Sequence, residues 1–97
     1  MDAIGAMWYG DDLAYYSGTM VSPTVLRKYL VPYMEEMGAI CRSRDLPFIL
    51  HSDGNLWEIL PDLLACGLNA LHPVEPKAMD SRELKARVGG RLCLLGN

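Results

Sequence analysis

The sequence predicts an α/β fold built on parallel strands, and three observations predict it. Short apolar segments alternate with segments of helical pattern, each bounded by Gly or Pro. The last three apolar segments begin near residues 47, 69 and 91, a spacing of about 22 that suits one strand and one helix per unit. An acid, an imidazole or an amide stands at the end of each. The 97 residues are 51% hydrophobic, enough for one compact domain and too few for two, so residues 1–97 read as a single unit.

The first strand is expected within Ala3 to Tyr9, running into the turn-rich Gly10-Asp11-Asp12. Ser22-Pro23 opens a helix, with Ser22 as N-cap and Pro23 in the first turn. The helical pattern continues to Arg44, but Pro32 lacks the N–H that a helix interior needs. Two helices, 23–30 and 32–43, or one bent helix, satisfy that constraint. Pro47 to His51 is a buried-type strand, followed by the turn Asp53-Gly54-Asn55. Asn55 and Glu58 have capping-box spacing for the next helix, which Pro61 interrupts and Gly67 ends as a left-handed cap. Asn69 to His72 is the third strand, closed by Pro73 and Pro76. Asp80 and Glu83 repeat the capping-box spacing, Gly89-Gly90 stops that helix, and Arg91 to Leu95 is the last strand. Four parallel strands are half of a (β/α)8 barrel; a doubly wound sheet uses the same unit, and the pattern alone leaves both open.

Either arrangement binds ligands at the carboxyl ends of its strands. Those ends carry Asp11 and Asp12, His51 and Asp53, Glu75, and Asn97, whereas the opposite ends near Leu46, Leu68 and Gly90 offer little chemistry. His51 and Asp53 are the sharpest pair. Alternate residues of a strand point the same way, so an imidazole and a carboxylate can meet one cation, and both are ordinary zinc ligands. The competing reading has Asp53 cap its own turn while His51 bonds a neighbouring strand. Asp11 and Asp12 are equally suited to forming a turn. Glu75, between Val74 and Pro76, is less suited to one. His72 is expected to be a packed histidine, and Met20, Met34 and Met37 an apolar helix face. Trp57 is expected in the helix layer, while Trp8, Tyr15 and Tyr16 are candidates to line a pocket.

Several classes are excluded. No GxGxxG follows the first strand, and there is neither GxxxxGK[ST] nor GxSxG. The formal charge is −3 with acids and bases interspersed, which argues against nucleic acid. No apolar run approaches the length of a membrane span, and Met1 to Met7 lack the basic start of a signal peptide. Cys41, Cys66 and Cys93 are an odd number with no CxxC, so a reducing cytoplasm is the default location and buried packing their default role.

Taken in order, Gly10-Asp11-Asp12, Ser22-Pro23, Leu30-Val31-Pro32-Tyr33, the run Pro47 to Asn55, the run Gly67 to Pro76, and Leu95-Gly96-Asn97 resemble the uroporphyrinogen decarboxylase superfamily. The resemblance spans nearly the whole chain. It implies the C-terminal part of a (β/α)8 barrel, a fragment of a larger enzyme acting on a small-molecule substrate. One branch of the superfamily decarboxylates uroporphyrinogen in porphyrin biosynthesis without a cofactor. The other transfers methyl groups between a corrinoid and a thiol or methoxyl substrate, usually with zinc, the corrinoid being carried by a partner protein. The decarboxylases carry serine where Asp12 stands. The methyltransferases place a zinc-binding His-x-Cys pair where this chain has His51-Ser52-Asp53, so His51 matches and Asp53 departs. The strand-end positions offer Asp11, Asp12, His51 and Glu75 as catalytic candidates and His51, Asp53 and Glu75 as candidate metal ligands, and of these the resemblance supports His51 as a ligand. The reading leans to methyl transfer, because a polycarboxylate substrate calls for cations and these strand ends carry acids. Cys93 is expected in the core. A half-barrel alone would leave two open edges, so the isolated chain is expected to be unstable or to form a homodimer, without activity of its own.

Overall fold

A computed structural model describes residues 3–15 and 17–96. Four parallel strands form one sheet: β1 (Met7–Gly10), β4 (Phe48–His51), β5 (Ala70–His72) and β6 (Cys93–Leu94), adjacent in that order. Between β1 and β4 lie a small antiparallel hairpin, β2 (Ala14–Tyr15) and β3 (Gly18–Thr19), and the helices α1 (Pro23–Tyr29) and α2 (Val31–Ser43). A 3-10 turn, Trp57–Ile59, leads into α3 (Leu60–Ala65), and α4 (Ser81–Val88) joins β5 to β6. None of these helices is long and apolar enough to cross a membrane.

Local chemistry explains the helix ends. Ser22 Oγ accepts from the Val25 N–H at 3.2 Å, and Pro23 follows it where a missing N–H costs nothing. Pro32 falls in the first turn of α2, so the chain bends at Leu30, which ends one helix and begins the next. Pro61 likewise sits in the first turn of α3. Asn55 Oδ1 accepts from Trp57 N two residues on, and a 3-10 turn rather than an α-helix begins there. Asp80 caps α4 by accepting from the N–H groups of Arg82 and Glu83; the Glu83 carboxylate turns to Arg87 instead of closing the box. Gly67 has φ +87°, as a left-handed cap requires. The strands are shorter than the apolar segments because a residue counts only where it has a neighbour: β1 begins at Met7, the partner of Phe48.

The sheet has one covered and one open face. Phe48, Leu50 and Leu71 lie fully buried in a core with Met34, Leu63, Leu84 and Val88 of the helices. The alternate residues Trp8, Ile49, His51, His72 and Cys93 face the other way and are half-buried or exposed. A doubly wound sheet would carry helices on both faces and reverse its strand order. Here the order follows the chain and one face alone is covered, as in a section of barrel wall.

Phe48, Leu50, Leu71 and Leu92 lie against the helices and are at most 3% exposed. Two expectations change. Cys93 is exposed rather than in the core, since its register with Ala70 puts it on the open face. Met20 precedes α1 and is exposed, whereas Met34 and Met37 do face the core. The hairpin had no signal in the sequence, because two-residue strands are too short to show alternation.

Candidate functional site

All four strands run the same way, so Asp11, Asp12, His51, Asp53 and Glu75 gather at one end of the sheet. Asn97, offered by the last strand, and Tyr16 lie outside the described residues. Asp12, His51 and Asp53 converge: one ligand atom from each lies within 4.8 Å of the others. Asp12 is exposed, while His51 and Asp53 are half-buried. Asp12 Oδ1 also accepts from the Asp53 N–H at 2.9 Å, so the loop after β1 is tied to the loop after β4.

That loop is held from several sides. Ser52, buried with 0% exposure, accepts from the Leu13 N–H at 2.9 Å and donates to the Asp53 carbonyl. Its own N–H donates to the His72 carbonyl of β5. Gly54, at φ +98°, packs so closely on Ala14 that a Cβ there would meet the Ala14 carbonyl. The Asn55 N–H donates to the Tyr15 carbonyl at 2.7 Å. The hairpin is therefore the floor on which the Asp53 turn rests.

Glu75 stands outside the three-residue group. Its Oε1 accepts from the Gly54 N–H at 2.7 Å, which binds the loop after β5 to the same turn. Asp11 also stands apart: its Oδ2 accepts from the Tyr9 hydroxyl at 2.9 Å. Burial, the hydrogen bond to Asp11 and the Asp11 charge, in that order, raise the Tyr9 phenol above its usual value.

The sequence offered a neighbouring strand as a hydrogen-bond partner of His51 but singled out neither His72 nor Trp8 beside it, nor Ser52 beneath the Asp53 turn. His51 and His72 are paired residues of β4 and β5, and their Nδ1 atoms lie 2.9 Å apart. Trp8 stacks over His51 with ring centroids 6.1 Å apart and tilts against His72 at 5.4 Å. His72 thus belongs to the site face rather than to the packed core. Alternation along each strand was visible beforehand; the register that sets the two rings side by side was not. Trp57 lies in the helix layer as expected, under Arg87, in a groove of about 360 Å³ between α3 and α4 that carries no acid. Cys66 is buried, and burial first, then the Glu35 and Asp62 charges, push its thiol up to about 11, which leaves it no role as a nucleophile near neutral pH.

One imidazole and two carboxylates are a fitting donor set for a divalent cation such as zinc. Replacing a thiolate by Asp53 hardens the set and shifts its preference toward oxygen-loving metals.

No curated protein matches the chain. Among solved structures, a methyltransferase from Methanosarcina mazei superposes with a TM-score of 0.74 at 27% identity, over 98% of this chain and 26% of that one. The chain thus spans about a quarter of the length of that structure. Residues 5–97 match the family described as uroporphyrinogen decarboxylase (URO-D). An α/β section whose strand ends gather polar groups, matched by that family over nearly its whole length, belongs to the uroporphyrinogen decarboxylase superfamily.

Proposed function

We propose that the chain forms the metal-holding part of a methyltransferase-type enzyme of this superfamily. The observation that carries the reading is the convergence of Asp12, His51 and Asp53 within 4.8 Å at the carboxyl ends of β1 and β4. Likeness to the Methanosarcina mazei methyltransferase supports it. So does the absence of Lys and Arg from the positions directly after β1, β4 and β5, where a polycarboxylate substrate would call for cations. A zinc-class cation in this site would lower the pKa of a bound thiol or polarise an ether oxygen.

The side chains have separate tasks in this reading. Asp12, His51 and Asp53 are the ligands. Glu75 fixes the height of the Asp53 turn through Gly54 and keeps one carboxylate oxygen near it. Asp11 holds the Tyr9 hydroxyl. Trp8 offers an apolar wall that keeps water from one side of His51. The methyl group would be exchanged with a corrinoid delivered by a separate protein. Cofactor-free decarboxylation of uroporphyrinogen is the second reading, favoured by the description of the matching family.

Metal analysis separates the two. The full-length enzyme is expected to hold about one zinc-class ion per chain, and His51→Ala to release it. Protein that purifies without metal and keeps its activity after chelation would remove the metal-assisted reading and favour decarboxylation.

A further inference from the structure

The chain has two histidines, and they meet. Their Nδ1 atoms lie 2.9 Å apart across neighbouring strands, in a register that pairs His51 with His72. At that separation one nitrogen must donate and the other accept. A neutral imidazole has one N–H and one lone pair. If His51 gives a lone pair to a cation through Nε2, its proton sits on Nδ1, and the acceptor that faces Nδ1 is His72.

We infer that His72 is a positioning residue for the metal site: it accepts the His51 Nδ1–H and so holds His51 in the tautomer and ring orientation that present Nε2 as a ligand. The inference rests on the metal-holding reading above. Ligating histidines generally bond their second nitrogen to an orienting partner, usually a carboxylate, carbonyl or water. No carboxylate, carbonyl or hydroxyl partner of His51 Nδ1 is found among the described residues; the imidazole of His72 takes that place. His72 is itself fixed. Its carbonyl accepts from the Ser52 N–H at 2.9 Å, and Trp8 lies against both rings. The indole lies against both imidazoles, stacked on His51 and tilted against His72, and the two imidazoles meet through their Nδ1 atoms.

The test compares His72→Asn, His72→Leu and His72→Ala in the full-length enzyme by zinc competition against a chromogenic chelator. Asn places a side-chain oxygen near the position of Nδ1 and keeps an acceptor; Leu and Ala keep none. We expect zinc affinity to fall by roughly 10- to 100-fold in the Leu and Ala variants and to recover most of the way in Asn. The visible spectrum of the Co²⁺-loaded Asn variant should match that of the unmutated chain, since no ligand has changed. Unchanged affinity in Leu and Ala, beside a loss in His51→Ala, would overturn the positioning role and leave the metal site standing. Equal loss in all three His72 variants, with an altered cobalt spectrum, would overturn it too, by making His72 a ligand. A chain that takes up no metal at all removes both readings together.

Discussion

Ser52 shows how much one side chain can hold. Its hydroxyl is buried, accepts from the loop after β1 and donates to the carbonyl of Asp53, so both carboxylates of the site depend on it. Ser52→Ala would leave the Leu13 N–H buried without a partner, a loss of about 1–3 kcal/mol. The expected outcome is a clear fall in Tm by calorimetry and weaker metal binding; unchanged values for both would show that water replaces the hydroxyl. His51 was legible in the sequence because it ends an apolar run before a turn. Ser52 was not, since a serine between a histidine and an aspartate looks like any turn residue until its burial is known.

At the scale of elements, the hairpin β2–β3 decides where the site turn sits. Gly54 combines a left-handed backbone with contact against Ala14, and either alone would favour glycine. Gly54→Ala is therefore expected to cost about 1–3 kcal/mol and to shift Asp53 relative to Asp12, seen as a lower Tm together with reduced metal affinity. A variant with the melting temperature and affinity of the unmutated chain would sink this account of the hairpin. The helices were the most legible elements, because Ser22, Pro23, Pro32, Pro61, Gly67 and Asp80 act through local backbone chemistry. The glycine at 54 was legible as a turn residue; that its missing Cβ accommodates a hairpin was not, because the hairpin lies forty residues away in sequence.

For the whole molecule the asymmetry of the sheet matters most. Helices bury one face, while Trp8, at 53% exposure, stands on the other, and among the described residues β1 and β6 are the outer strands with no neighbour beyond them. Parallel sheets are normally covered on both faces, and open edges invite pairing. Two copies that join β6 of one to β1 of the other would bring eight parallel strands into a closed ring and cover the open face. The 97-residue chain expressed alone is expected to sediment as a dimer or to aggregate, and to lack turnover. A monomer with cooperative melting and measurable activity would refute this. The driving force is the exposed aromatic face and the edges, since Phe48, Leu50 and Leu71 are already buried by the helices.

The sequence by itself determined the α/β alternation, the helix ends, the polarity of the strand ends and the superfamily, because each depends on local residue chemistry or on order along the chain. Only the tertiary structure decided that helices cover one face, that Cys93 lies on the open one, and that Asp12 rather than Asp11 meets His51 and Asp53. It alone also set His72 beside His51. The physical reason is register. A shift of one residue between neighbouring strands sends every side chain to the opposite face, and that choice is made by packing between segments twenty to forty residues apart.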